Sequence, residues 1–152
     1  MSMLNQIAGL IHLSGRLLDE GKFSEYADLY TDTGEYRLHV DAPEIAQQMT
    51  WILLNQKELS ALLSAAKDHV WNTGQRSHLI TVESVDLDNQ GVSAESSASF
   101  CVFRTDADGT PSVYAVGRYQ DDWMKTGGEW KIVRRIATLG SRNLSPPSAI
   151  PL

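Results

Sequence analysis

The chain has 152 residues, with 13 Lys+Arg against 19 Asp+Glu, a formal net charge of −6 and a sequence pI near 5.1. A domain of this length buries a core without disulfides or metals, and the acidic balance is the wrong sign for a protein that neutralises phosphates, so a nucleic-acid partner is not expected. Mean hydropathy is −0.25 and no apolar run approaches the roughly 20 residues that cross a bilayer, so no membrane partner is expected either. The single cysteine, Cys101, cannot form an internal disulfide or supply a thiolate-rich zinc or iron–sulfur site. The first residues carry no basic segment followed by an apolar run, which makes the cytoplasm the expected location.

Along the chain, Leu4, Ile7, Ile11 and Leu18 fall at helical spacing, Leu10 and Leu17 widen the stripe, and Gly21 is placed to end the helix. Phe23, Tyr26, Ala27 and Tyr30 repeat the pattern in a shorter segment, which Thr31-Asp-Thr-Gly34 terminates, and a brief strand from Glu35 to Val40 is expected to follow. Asp41-Ala-Pro-Glu44 has the marks of a second helix start: Asp41 as cap, Pro43 in the first turn, Glu44 at the reciprocal capping position. Ile45, Met49, Ile52 and Leu53 then mark a buried helical side, and Leu59, Leu62, Leu63, Ala66 and Val70 mark that of another helix ending near Gly74. The first half thus reads as helical.

After Gly74 the period changes from 3.6 to 2. Strands are expected at His78 to Val85, Val92 to Phe103, Val113 to Met124 and Trp130 to Leu139, joined by Asp86-Leu-Asp-Asn-Gln-Gly91, Asp106-Ala-Asp-Gly109 and Thr126-Gly-Gly128 in an antiparallel meander. Helices first and long strands afterwards predict an α+β fold, a cone in which a strongly curved antiparallel or mixed sheet wraps around the N-terminal helices. Residues 1–144 form the single domain on this reading, and residues 145–152, rich in proline, an extended C-terminal tail.

Asp19 at the end of the first helix and His78 at the start of the first long strand are the candidates for acid–base chemistry, since a carboxylate that holds a histidine in one tautomer makes it a general base. Asp19 reads equally as a polar helix-end residue. Tyr26, Tyr30 and Tyr36 are pocket candidates with phenolic donors, or ordinary buried tyrosines. His39-Val-Asp41 puts two donors of a two-histidine, one-carboxylate iron site on one strand face, but Asp41 also explains itself as a cap, and no metal ligand is assigned. His12 and His69 receive no function. Trp123 and Trp130 flank the Gly127-Gly128 turn, where packing across strands explains them. Arg104, Arg118, Arg134 and Arg135 put positive charge on strands, available to carboxylates of a partner subunit or to one another. Phosphate-binding loops, a nucleophile elbow and Cys–His nucleophile motifs are absent.

The segments Gln75-Arg-Ser-His-Leu-Ile-Thr-Val-Glu-Ser-Val85, Gly117-Arg-Tyr-Gln-Asp-Asp-Trp123 and Glu129-Trp-Lys-Ile-Val-Arg-Arg-Ile136 carry a family likeness. Leu17-Leu-Asp-Glu-Gly-Lys-Phe23, Tyr26, Leu29, Tyr30, Gly34-Glu-Tyr36 and Leu139-Gly-Ser-Arg-Asn-Leu144 extend it over nearly the whole chain. The chain resembles the small (β) subunit of aromatic-ring-hydroxylating dioxygenases, within the nuclear-transport-factor-2-like (cystatin-like) superfamily. The resemblance implies a cone that supports assembly with a large (α) subunit and with itself as a homotrimer, in aromatic hydrocarbon catabolism. It also implies that the Rieske cluster and mononuclear iron sit in the large subunit, with none in this chain, and that reductase and ferredoxin components are indirect partners. One cysteine agrees, because a Rieske centre takes two. The chain departs from the pattern in being short and in having Tyr26 where tryptophan is common. In dehydratase-like and dehydrochlorinase-like branches of the superfamily a helix-end Asp and a strand His form the catalytic pair, and Asp19 and His78 match them. That match implies the alternative, a free-standing lyase or isomerase; a non-catalytic small-molecule-binding module is a third reading.

Overall fold

A computed structural model describes residues 2–42, 47–66, 74–141 and 150–152. Helix α1 (Met3–Asp19) begins at Ser2, whose hydroxyl accepts the Asn5 N–H, and buries Ile7, Ile11, Leu17 and Leu18 along the expected stripe. Gly21, at φ 69°, lets the chain leave the helix where the sequence placed its end. The short α2 (Phe23–Ala27) follows, burying Tyr26 and Ala27.

Strand β1 (Tyr30–Ala42) is longer than expected. Thr31 to Gly34 do not stop the chain; they form an irregularity inside the strand, where its register against β6 breaks between Tyr30 and Glu35. The helix expected after Asp41 is replaced by strand β2 (Gln47–Asn55), antiparallel to β1, with Asp41 paired to Gln48. The physical reason lies in Thr50, Trp51 and Ile52, β-branched and aromatic residues that favour a pleated surface, and in a pattern that satisfies period 2 as well as 3.6. Leu53, expected on the buried side, is exposed, while Ile52 and Leu54 pack against the core. Pro43, Glu44 and Ile45 lie outside the described residues. The reciprocal cap expected at Asp41 and Glu44 occurs instead at the start of α3 (Gln56–Ala66): Asn55 Oδ1 accepts the Glu58 N–H at 2.9 Å, and Glu58 Oε2 accepts the Asn55 N–H at 3.1 Å. Leu59 and Leu63 are buried as predicted; His69 and Val70 lie outside the described residues.

The second half follows the expected meander: β3 (Gln75–Leu87), β4 (Ser93–Thr105), β5 (Pro111–Thr126) and β6 (Glu129–Leu139). The sheet order is β2-β1-β6-β5-β4-β3. β1 and β6 are parallel and the other neighbours antiparallel, so the sheet is mixed and open, with β2 and β3 at its edges. Register shifts at Leu38/His39, Val82/Ser84, Val102/Phe103 and Asp122/Trp123 are the irregularities that bend long strands. The inward-facing Ala98, Phe100, Val102, Tyr119, Trp123, Ile132, Ala137 and Leu139 form one core with α1, α2 and α3. This is the predicted α+β cone, with α1 lying across β3.

Candidate functional site

Gly15 sets how closely α1 approaches the sheet. A Cβ there would come within 2.8 Å of Ile80 Cδ1 and 2.9 Å of His78 Cβ, so only glycine fits without a shift. One turn later Asp19 reaches His78: Oδ2 accepts the His78 backbone N–H at 2.7 Å, and Oδ1 lies 2.5 Å from Nδ1. An ionised carboxylate only accepts, so Nδ1 carries the hydrogen and Nε2 is left as the basic nitrogen. The His78 side chain is 1% exposed against 18% for Asp19, and Nε2 is buried without a hydrogen-bond partner among the described residues. An imidazole fixed in one tautomer with its lone pair sheltered is equipped to take a proton.

Deeper in the cone lies a cation. Arg135 of β6 is 0% exposed; its Nε and Nη2 donate to Asp121 Oδ1 and Oδ2 at 2.9 and 2.8 Å, and Nη1 donates to Ser14 Oγ at 2.8 Å. Ser14 passes its own hydrogen to the Ile11 carbonyl at 2.6 Å, and the guanidinium stacks 4.1 Å from the Tyr119 ring centroid. Burial pushes the Arg135 pKa down, but the facing Asp121 charge and hydrogen bonds, with Tyr26 and Tyr30, outweigh it, leaving it well above the usual value and the group a fixed cation. The Tyr26 and Tyr30 hydroxyls are 2.9 Å apart with their rings edge to face, and burial raises both above the ordinary phenol range. Tyr36, raised likewise by burial, accepts the Leu152 backbone N–H at 3.2 Å. Two positions before His78 on the same face of β3, Arg76 lies 4.8 Å from the Tyr114 ring centroid. Burial lowers the Arg76 pKa, and its charge interacts with Tyr114, Asp19 and Tyr36.

Residues 2–136 match the SnoaL-like domain. The chain belongs to that family. This SnoaL-like chain is similar to the methanesulfonate monooxygenase hydroxylase subunit beta of Methylosulfonomonas methylovora, at 27% identity over 96% of its own length and 85% of the relative's. It is also similar to the 2-aminobenzenesulfonate 2,3-dioxygenase subunit beta of an Alcaligenes species, at 21% identity over 96% and 97%. Among solved structures, a Novosphingobium aromaticivorans protein assigned as the beta subunit of an aromatic-ring-hydroxylating dioxygenase superposes with a TM-score of 0.77 at 19% identity, covering 92% of this chain and 90% of that one. ActVI-ORFA from Streptomyces coelicolor gives 0.67 at 19% identity, covering 90% and 96%. At these identities the structural likeness is one of fold.

In the SnoaL-like chain, then, Asp19 and His78 meet, Tyr26 and Tyr30 join the buried Arg135 cluster, and Tyr36 meets Leu152. Asp121 and Ser14, members of that cluster, were not picked out from sequence. The available signal was an Asp and an Arg at inward positions of adjacent strands, paired in register as Asp121 and Arg135. Arg104, Arg118 and Arg134 are each paired within the chain, with Asp106, Glu83 and Asp122, as Arg135 is with Asp121. Trp123 Nε1 donates to Ser96 Oγ at 2.8 Å, and Trp130 is buried beneath Lys125. His39 Nε2 is buried, Asp41 is exposed, and among the described residues no group of three or more His, Cys, Asp or Glu is placed to hold a metal ion. His12 is exposed on α1.

Proposed function

We propose that this chain is the small (β) subunit of a ring-hydroxylating-type oxygenase, a body on which a large subunit is assembled and positioned. The observation that carries the reading is the alignment, over 96% of this chain in each case, with beta subunits of two hydroxylating oxygenases. The interior supports it: Arg135 is held by Asp121 and Ser14, and the Tyr26 and Tyr30 hydroxyls pair with each other, which leaves the outer surface for recognition. A Rieske centre needs two cysteine thiolates, and this chain, with one cysteine, does not fit it. On this reading the iron groups belong to the large subunit, reached by reductase and ferredoxin components. Three copies of the chain form a ring, and the complex works in the cytoplasm in the breakdown of aromatic compounds. The two relatives are named for sulfonates, one alkyl and one aromatic, which makes sulfonates of both kinds the first substrates to offer the complex. Co-expression with a large subunit bearing the Cys-x-His and Cys-x-x-His Rieske pattern from the same operon is expected to yield an equimolar complex through size exclusion. A folded chain that elutes alone at micromolar concentration beside that subunit refutes the assignment.

One observation favours a second reading, a lyase or isomerase: His78 Nε2 is sheltered and unpartnered while Asp19 holds Nδ1. There His78 takes a proton from a small cyclic substrate and Asp19 stabilises the imidazolium. His78→Ala is expected to lower such turnover by about 10²–10⁴-fold. Unchanged turnover of an enolisable cyclic ketone in that variant removes His78 from the chemistry.

A further inference from the structure

Helix α1 presents two stripes. One, with Ile7, Ile11, Ser14 and Leu18, is buried against the rest of the fold. The other, Gln6, Gly9, Leu10, Leu13 and Arg16, recurs every three or four residues and borders an open groove, whose far wall is built from α2, the start of β1 and the β5–β6 turn. Leu10, Leu13, Leu29 and Trp130 give the groove an apolar floor. The β5–β6 turn lies at the N-terminal end of α1: a Cβ on Gly91 would meet Met3 Cε at 3.2 Å, the Val92 carbonyl accepts the Lys125 N–H at 2.8 Å, and Lys125 pairs with Trp130. The groove therefore runs along α1 from Asn5, beside Gly128 and Glu129, to Arg16, beside Glu25.

Its two walls differ in charge. The α1 wall carries one charge, Arg16, whose side chain is 67% exposed and meets Glu20 only at 4.0 Å. The far wall carries Glu25, Asp28 and Glu129 against Lys131, and Lys131 is engaged by the Asp28 carbonyl at 2.5 Å, leaving Glu129, 76% exposed, at 3.9 Å. Gly9 adds an independent observation. It stands exposed in the middle of a helix, where glycine is unfavourable, and a Cβ there would meet nothing within 4 Å, so nothing described in this chain requires it. What a bare helix position offers is close approach to a second backbone.

We propose that this groove is a self-complementary interface, filled by α1 of a second copy of this chain running antiparallel across a twofold axis at Gly9. Such an axis sets a residue seven positions after Gly9 against one seven positions before it, about 10 Å from the crossing at 1.5 Å rise per residue. Arg16 of one protomer then lies at the N-terminal end of its partner's α1, the end at which Glu129 stands, and symmetry forms that pair twice. The two glycines meet at the crossing, and Leu10 and Leu13 of each helix cover the other's floor. The surface is on the helix side of the molecule, away from the outer face of the sheet. The inference does not rest on the subunit reading, since the chain itself supplies both halves.

Charge reversal in the full chain tests it, with sedimentation velocity of a fluorescently labelled copy titrated by an unlabelled one. Arg16→Glu against itself, and Glu129→Arg against itself, are each expected to associate about 10-fold more weakly than the parent, because two attractive pairs become two repulsive ones. Labelled Arg16→Glu titrated with Glu129→Arg is expected to recover the parental affinity, since every pair between copies is again one acid and one base. Contacts made elsewhere on the chain are the same in all of these mixtures and cancel. Gly9→Gln is expected to unfold at a higher urea concentration and yet to associate about 10-fold more weakly, opposite movements that a folding defect does not produce. A parent chain that stays monomeric up to about 100 μM overturns the proposal. So do single reversals that associate as the parent does, and a mixture of the two that binds no more tightly than either alone.

Discussion

At the scale of single residues, the chain places two polar pairs inside the cone with opposite character. Asp19–His78 leaves one nitrogen unspent; Arg135 is bound on three nitrogens, by the bidentate Asp121 carboxylate and Ser14, and the Tyr119 ring covers its face. The second pair is therefore a structural commitment. Removing one member strands the other charge away from water, a loss that in buried pairs runs to about 3–5 kcal/mol. Arg135→Met is expected to fall in that range in urea unfolding, and Arg135→Met with Asp121→Leu to recover most of it, since two apolar side chains of similar bulk owe no desolvation. A single variant within about 1 kcal/mol of the parent removes the pair from the list of supports. The first pair was legible in the sequence because a polar residue ending an apolar helix and a histidine opening an apolar strand both break a pattern. The second was less so: Arg135 stood out as a charge on a strand, but which carboxylate it met depended on the register between β5 and β6, which no local signal reveals.

At the scale of elements, α1 is the part most plainly written in the sequence, and its placement is set by one missing side chain. Gly15 lies against His78 and Ile80, whereas Gly9 on the same helix is exposed and a Cβ there meets nothing within 4 Å. The two glycines should thus respond oppositely to alanine. Gly15→Ala is expected to cost about 1–3 kcal/mol through overpacking. Gly9→Ala is expected to gain about 0.5–1 kcal/mol through helix propensity. Chemical denaturation of both variants checks the pair, and equal effects would mean that α1 does not press on β3 as described. The element least legible was β2. Its apolar residues fit a helix stripe and a strand alternation alike, and what decided between them was pairing with β1, a contact outside the window that periodicity samples. The reciprocal cap expected at Asp41 is found at Asn55, a position for which no cap is expected from the sequence. Asp41 has the right chemistry and sits in a strand, while Asn55, with the same chemistry, starts α3.

At the scale of the whole molecule, the sheet has an inner face consumed by the helices and an outer face that carries an apolar row. Leu79 pairs with Cys101 and Cys101 with Val116, while Phe103 pairs with Val113, so these side chains run across β3, β4 and β5. Leu79, Val113 and Val116 are 57, 60 and 46% exposed, and the Glu83–Arg118 ion pair with Ser99 lies beside them. An apolar strip rimmed by paired charge is the composition of a protein contact and not of a solvated surface. If the chain self-associates as the subunit reading requires, this strip is where neighbouring sheets meet. Leu79→Glu and Val116→Glu should then each weaken self-association by about 30-fold, the equivalent of the ~2 kcal/mol carried by a central interface contact. Both side chains are already half in water, so unfolding of the separated chain should move by no more than about 0.5 kcal/mol. Sedimentation velocity across a concentration series reads the first quantity and urea unfolding the second. Variants that assemble as the parent does would move the contact to another surface, and variants that lose stability along with assembly would show that Leu79 and Val116 serve the fold first.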